Sequence, residues 1–380
     1  MGDTVSGLTY SPDDIRKEGL LVLRSSNVKD SKLVYEDCVF VRPDIKGANR
    51  VRENDILICV RNGSASLIGK NAVIPAGIGD VAFGAFMTVF RPSADGFVHQ
   101  LLRTGMYKKQ VAADLGARIN SINNSQLKKY RFNTPTLPEQ RKIAGFLSVV
   151  DEKIAQLSRK KALLEDYKKG CMQQLFSQKI RFKDDDGNDF PNWEEKRLGE
   201  VFERVRKKNS VRNENVLTIS AQNGLVSQLD YFNHSVAAKD TSGYYLLEKG
   251  DFAYNKSYSK GYPMGAIKRL KFYERGIVST LYICFRSKIS GAEDFFECYF
   301  NSGFQNRWLA KISQEGARNH GLLNMAIKDV FDMPLPYPHP TEQRKIADFF
   351  SAIDRKIDLV AQELTHARSF KAGLLQQMFA

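Results

Sequence analysis

The segment Glu139–Leu157, EQRKIAGFLSVVDEKIAQL, recurs 203 residues later as Glu342–Val360, EQRKIADFFSAIDRKIDLV, with eleven of nineteen positions identical. The same spacing continues without a gap through Lys168 and Lys371, Gly170 and Gly373, Gln173 and Gln376, Gln174 and Gln377, and Phe176 and Phe379. Self-similarity of this kind marks a duplicated structural unit. Fainter matches precede each copy, and their spacing drifts as loops of unequal length require: Asp55 with Asp251, Phe90-Arg91 with Phe285-Arg286, and Gly116-Ala117-Arg118 with Gly316-Ala317-Arg318. Each half therefore has the same order, a variable globular part and then a constant helical part.

In the first helical part apolar residues fall at Ile143, Leu147, Val150, Ile154, Leu157, Leu164, Tyr167 or Cys171, and Leu175, with an interruption at Lys161. The second gives Ile346, Phe350, Ile353, Ile357, Val360, Leu364, Ala367, Leu374 and Met378, interrupted at Lys371. A 4-3 spacing is the a/d pattern of a coiled coil. Pro138 opens the first copy, and Pro338, Pro340 and Thr341, the last as N-cap, open the second. A helix of this length runs about 57 Å and cannot bury a single apolar stripe alone. The matching stripe is the other copy, so the two helices are expected to pair. A two-fold relation between the halves makes them antiparallel and puts the globular parts at opposite ends, as in a dumbbell.

Within the globular parts, Val51–Val60 and Leu246–Tyr254 read as strands entering turns, as do Phe83–Phe90 and Val278–Phe285. The expected fold class is mixed α/β (α+β): two similar globular domains and a pair of long antiparallel coiled-coil helices, a pseudo-two-fold tandem duplication. The expected domains are residues 1–137, a first helix at 138–177, a linker and second globular domain at 178–338, and a second helix at 339–380.

Among 380 residues there are 57 Lys and Arg against 43 Asp and Glu, a formal charge of +14. Such a surplus favours a polyanion, because cations set against phosphates release condensed counterions. No apolar run approaches the ~18 residues of a membrane span, and the start, MGDTVSGLTYSPDD, lacks the pattern of a signal or transit peptide. A cytoplasmic protein that does not enter membranes is expected. The five cysteines, Cys38, Cys59, Cys171, Cys284 and Cys298, form no Cys-x-x-Cys pair and read as buried thiols. Catalytic signatures are missing. Gly63–Asn71, GSASLIGKN, has five residues between its glycines instead of four, and Asn71 where a phosphate loop needs Ser or Thr. The histidines, His99, His234, His320, His339 and His366, are scattered, and Glu194-Glu195-Lys196 reads as a solvated charge run.

The strands after Asp55 and Asp251 lead into donor-rich loops, Arg61-Asn62-Gly63-Ser64 in one half and Asn255-Lys256-Ser257-Tyr258-Ser259-Lys260 in the other. Later come Gly116-Ala117-Arg118-Ile119-Asn120-Ser121 and Gly316-Ala317-Arg318-Asn319-His320-Gly321. Polar loops join strands in every fold, but these recur at equivalent places. Arg offers two donors to a guanine edge, Asn pairs with adenine, and Gly admits a phosphate close to the backbone. The candidate DNA-binding residues are Arg61, Asn62, Ser64, Arg118 and Asn120 in the first half, and Lys256, Tyr258, Lys260, Arg318 and Asn319 in the second.

The twice-used Glu-Gln-Arg-Lys-Ile-Ala…Asp-x-Lys-Ile opening, the endings Gln173-Gln174-Leu175-Phe176 and Gln376-Gln377-Met378-Phe379, and the linker Asp189-Phe190-Pro191-Asn192-Trp193 running into Arg197-Leu198-Gly199 carry a resemblance. Over essentially its whole length the chain resembles the specificity subunits of type I restriction-modification systems. That resemblance implies two target recognition domains, each reading half of a split site in double-stranded DNA, with the helices as a ruler. It also implies docking of two methyltransferase subunits and of restriction-translocation subunits. S-adenosylmethionine, ATP and magnesium would then belong to those partners, and this subunit would be noncatalytic, with no cofactor or metal of its own. Because the two sets of loops differ, the site should be asymmetric. The alternative is a coiled-coil scaffold without DNA recognition. The chain departs from the pattern at Met1-Gly2-Asp3, which aligns with Leu198-Gly199-Glu200 and has no counterpart of Trp193 before it.

Overall fold

A computed structural model describes residues 1–93, 96–115, 120–220, 224–232, 240–259, 261–313 and 323–379. The fold is mixed α/β. It divides into two compact units, Met1–Lys160 with Val360–Ala380, and Lys161–Leu359. Each unit holds a four-stranded sheet of the same order. In the first unit the order is Gly2–Ser6, Met87–Pro92, Ile56–Cys59, Asn71–Val73; in the second it is Phe202–Arg204, Ile283–Ser287, Phe252–Asn255, Ala266–Arg269. Phe90 lies opposite Ile56 in one sheet and Phe285 opposite Phe252 in the other, so the register is duplicated as well. All four residues of Ile56–Cys59 are buried, which is why this strand is an unbroken apolar run.

One polar device recurs in both sheets. Asp55, almost wholly buried, accepts hydrogen bonds from Arg91 Nε at 3.1 Å and from the Arg52 amide at 2.8 Å. Asp251, buried likewise, accepts from Arg286 Nε at 2.7 Å and from the Glu248 amide at 2.8 Å. The carbonyls of both aspartates also receive an amide from the neighbouring strand, Ile74 in one unit and Leu270 in the other. Buried carboxylates persist only when paired and hydrogen-bonded. The pairs thus pin two strands at the root of the hairpin that follows.

The two long helices span Leu137–Phe176 and Pro340–Met378. In the first unit Ala144 and Leu147 pack in one cluster with Leu374, Leu375 and Phe379. In the second, Met172, Leu175 and Phe176 pack with Ile346, Phe350 and Ile353. Within each unit a rising number on one helix meets a falling number on the other, so the pairing is antiparallel. The lysines inside the stripe complete it. Lys371, 4% exposed, bonds through Nζ to Asp151, while Lys168 Nζ reaches Asp354 Oδ1 at 2.6 Å. Asp151 and Asp354 are duplicates, as are Lys168 and Lys371; in each unit the lysine of one copy meets the aspartate of the other.

The duplicated glutamines have a local role. Gln140 Nε2 donates to the Pro135 carbonyl and Gln343 Nε2 to the Pro338 carbonyl, each at 2.8 Å, which ties the helix start to the preceding chain.

Several expectations are corrected. Asp3 pairs with Arg91 and Glu203 with Arg286, so Gly2-Asp3 corresponds to Phe202-Glu203 and not to Gly199-Glu200. Leu198–Val201 is a short helix, and strand pairing outranks the glycine match that suggested the other alignment. Thr341 lies inside the second helix, which begins at Pro340; its amide donates to His339 Nδ1. Tyr167 is exposed, and Cys171 continues the stripe after the half-buried Lys168. Only Cys59 and Cys284 are buried; Cys38, Cys171 and Cys298 are partly exposed. Leu246–Tyr254 is two strands, broken at Lys249–Asp251, and Phe83–Phe90 is broken at Gly84–Phe86. Glu194 and Glu195 are exposed, as a solvated charge run requires, and lie in a strand, Glu194–Arg197, paired with Pro334–Tyr337. Among the described residues, no helix is long and apolar enough to cross a membrane and no cluster of His, Cys, Asp and Glu could hold a metal ion.

Two predictions follow from the charged stripe. Asp151→Ala leaves a buried ammonium with no carboxylate and should cost about 3 kcal/mol. The duplicate change Asp354→Ala, at a pair closer to solvent, should cost ~1 kcal/mol or less in the same denaturant melts. Burial lowers the Lys371 pKa to about 8 despite the Asp151 bond, while burial beside Arg103 and Lys371 lowers that of His99 to about 4. Between about 8 and the unfolded value near ~10.4, the unfolded chain binds a proton that the folded one lacks, so stability from this site rises with pH across that window. Melting temperatures at pH 7 and 9.5 should show Lys371→Met losing that rise relative to the unsubstituted chain.

Candidate nucleic-acid interface

The polar loops after Asp55 and Asp251 are hairpin tips. Each joins the strand that follows the buried aspartate to the next strand of its sheet, Ile56–Cys59 to Asn71–Val73 and Phe252–Asn255 to Ala266–Arg269. In the first unit Val60 and Arg61 both donate their amides to the Phe86 carbonyl, at 3.0 and 3.1 Å. The Ile122 amide then donates to the Val60 carbonyl at 2.9 Å, and Asn62 donates its amide to the Asn120 carbonyl at 3.3 Å. Two loops 57 residues apart in sequence are therefore laid side by side, and Asn120 Nδ2 closes them by donating to the Gly63 carbonyl at 2.9 Å. In the second unit the Leu323 amide donates to the Lys256 carbonyl at 3.0 Å, the bond equivalent to that between Ile122 and Val60.

This placement sorts the candidate residues. Asn62 is committed to the loop: its Nδ2 donates to Ser25 Oγ at 3.0 Å and its Oδ1 accepts the Ser64 amide at 3.0 Å. Ser64 Oγ shares a 2.8 Å hydrogen bond with Ser66 Oγ. Arg61 is exposed, and its guanidinium lies 5.7 Å from the centroid of the Phe86 ring without an ion pair among the described residues. It keeps its donors for an incoming acceptor. In the second unit Lys256 is half-buried and Tyr258 is 62% exposed at the tip. Arg118, Lys260, Arg318 and Asn319 lie outside the described residues.

The second tip is shaped differently. Ser259 and Tyr262 exchange backbone hydrogen bonds, and Tyr254 Oη donates to the Met264 carbonyl at 2.7 Å. Gly265 has φ +73°, and a Cβ there would stand 2.1 Å from the Asn255 carbonyl oxygen, so only glycine lets the chain return. The first tip instead contains a 3-10 turn at Ala65–Leu67.

Sequence reading missed one element. Phe86 and Leu281 occupy equivalent turns, each between strands of different sheets, and both are more than half exposed. Met87 donates its amide to Gly84 and Tyr282 to Ser279, so the two turns share this bond. The signal was present in the spacing that pairs Phe90 with Phe285, but the residue types differ and alignment by identity passes over them. The first unit therefore offers a hairpin tip rich in donors with an apolar side chain, Phe86, next to it.

Asn62→Ala removes one bond within the first tip, to Ser64, and one that ties the tip to Ser25, and should cost about 1–2 kcal/mol. Amide exchange at Ser64 should accelerate strongly; an unchanged rate would mean that the side chain does not hold the loop.

Comparison with known proteins finds one family domain matched twice along the chain. The family described as "Type I restriction modification DNA specificity domain" matches residues 43–166 and 191–367. The specificity subunit of the type I restriction enzyme EcoKI from Escherichia coli K12 is 29% identical over 172 residues, covering 42% of this chain and 36% of that protein. That of StySPI from Salmonella potsdam is 28% identical over 172 residues, with the same coverage. The chain thus spans little over a third of the length of these curated relatives. Among solved structures, the type I restriction-modification S subunit from M. genitalium has a TM-score of 0.57 at 17% identity, covering 100% of this chain and 94% of that one. A chain from a structure of type I R-M system assembly and conformational transition has a TM-score of 0.53 at 14% identity, covering 95% and 91%.

Proposed function

We propose that this chain, which belongs to the type I restriction modification DNA specificity domain family, recognises double-stranded DNA in two unlike parts, one per unit. The observation that carries this reading is a shared frame with unshared tips. The pinned Asp–Arg root, the sheet register and the bond from the Ile122 or Leu323 segment to the tip are duplicated. The tips themselves present Arg61 beside Phe86 in one unit and Lys256 with Tyr258 in the other.

Arg61 is suited to a guanine edge, where a guanidinium donates two hydrogen bonds. Lys256 is suited to a phosphate as a point charge, and Tyr258 to a sugar or base face. Asn120, and Arg118, Lys260, Arg318 and Asn319 outside the described residues, are the further DNA-binding residues of this reading. The chain reads and does not react. Methyl transfer, ATP hydrolysis and cleavage, with S-adenosylmethionine, ATP and magnesium, fall to two methyltransferase subunits and to restriction-translocation subunits that dock on it. Its formal charge of +14 supports a sequence-independent hold on duplex that weakens with salt.

Filter binding of the purified chain to duplex tests this. In low salt it should retain random duplex. Against its own site, Arg61→Ala should lose ~1–3 kcal/mol and relax one position, whereas Lys256→Ala should weaken all sequences alike and flatten the salt dependence. A chain that retains no duplex in low salt is a scaffold, and the proposal fails.

A further inference from the structure

The chain that leaves the first strand of the second sheet is strongly cationic. From Arg204 to Glu214 there are five cations, Arg204, Arg206, Lys207, Lys208 and Arg212, against the single carboxylate of Glu214. Phe202–Arg204 and Phe252–Asn255 both pair antiparallel with Ile283–Ser287, so they run parallel to each other. The cationic run therefore heads for the end of the sheet at which Asn255 enters the second tip. The corresponding stretch of the first unit, Thr4–Asp14, has no cation and two carboxylates.

The run is fixed in place. The Val205 amide donates to the Cys284 carbonyl at 2.9 Å, the Leu246 amide to the Lys207 carbonyl at 2.8 Å and the Asn209 amide to the Tyr244 carbonyl at 3.0 Å. Val205 and Asn209 are buried, and strand alternation turns Arg206 and Lys208 outward. Asn209 then closes the turn that follows: its Nδ2 donates to the Asn213 carbonyl at 2.9 Å and its Oδ1 accepts the Asn213 amide at 2.7 Å. Inside that turn Arg212 is held at φ +52°, a region that residues other than glycine seldom adopt. Lys207 lies 3.7 Å from Glu248, and Lys208 Nζ donates to the Gly243 carbonyl at 2.7 Å. Arg206 and Arg212 are exposed and have no ion pair among the described residues. Crowded cations repel one another, and strained backbone persists where a ligand is to be clamped. A row of phosphates relieves that repulsion and accepts hydrogen bonds from both guanidinium groups.

We propose that the loop Arg206–Arg212 is a phosphate-binding site of the second unit, gripping the backbone of duplex DNA through Arg206 and Arg212. Backbone contacts of this kind fix the register in which a reader meets the bases. The proposal rests on the DNA reading above and adds a grip for which the first unit has no cations at the corresponding place.

The test is fluorescence anisotropy of a labelled random-sequence duplex, titrated with the full chain over a series of salt concentrations. The double variant Arg206→Gln, Arg212→Gln should bind roughly tenfold more weakly in low salt, and its slope of log affinity against log salt should flatten by about 0.9 for each of the two lost phosphate contacts. The double variant Arg206→Lys, Arg212→Lys keeps both charges and should recover the slope. Both arginines are exposed, so all variants should keep the unsubstituted circular dichroism spectrum. If the unsubstituted chain binds duplex and the Gln variant matches it in affinity and slope, the loop serves another partner and this proposal is overturned while the DNA reading stands. A Lys variant as flat as the Gln variant overturns it equally, and a chain that binds no duplex in low salt overturns both.

Discussion

A charge inside an apolar stripe allows few ways of closing it. Lys371 occupies a stripe position on the second long helix and is buried, so its ammonium must find a carboxylate in the facing helix. Sliding the pairing by one heptad would separate it from Asp151 and leave both charges in a poor environment, and a parallel pairing would do the same. Polar groups at such positions set register and orientation at some expense in stability. The duplication makes the solution reciprocal: because Asp and Lys were copied together, each unit contains the same bond with the helices exchanged. Asp151 shows the balance of forces. Burial opposes its charge, but Lys371, Gln100 and Arg103 together hold its carboxyl below the usual range.

A frame fixed in this way frees the hairpin tips to vary. The buried Asp55–Arg91 and Asp251–Arg286 pairs hold the roots of the two tips in equivalent geometry. Beyond the roots the constraint ends, and the tips diverge in residue type, in turn geometry and in which side chains remain free. Asn62 and Ser64 build their loop, whereas Arg61 and Tyr258 stay available. Binding residues on loops over a rigid scaffold are the ordinary division of labour in a recognition protein.

Much of the frame was legible because it is periodic or repeated. The stripe from Ile143 to Leu175 and its copy gave the helices and their pairing, and the fixed spacing of the copies gave the two-part order. Lys371 was legible only as an interruption, since spacing shows a polar residue in the seam but not the aspartate that answers it. Asp55 and Arg91 were visible as matches without a role, because a buried ion pair depends on contacts between distant strands. The candidate site was read less completely. The loops were found and the fold brings residues 60–64 against 120–122, but Asn62 turned out to hold the loop and Phe86 was passed over. Side-chain hydrogen bonds within a hairpin tip leave no pattern in one sequence.

The central claim is that one duplicated frame displays two dissimilar readers of duplex DNA. Selection of bound duplexes from a random pool, with the enriched molecules sequenced, tests it most directly. The account predicts two short blocks, unlike in sequence and not related by inversion, with the first block altered by Arg61→Ala and the second left intact. Enrichment of an inverted repeat, of one block alone, or of nothing would contradict it.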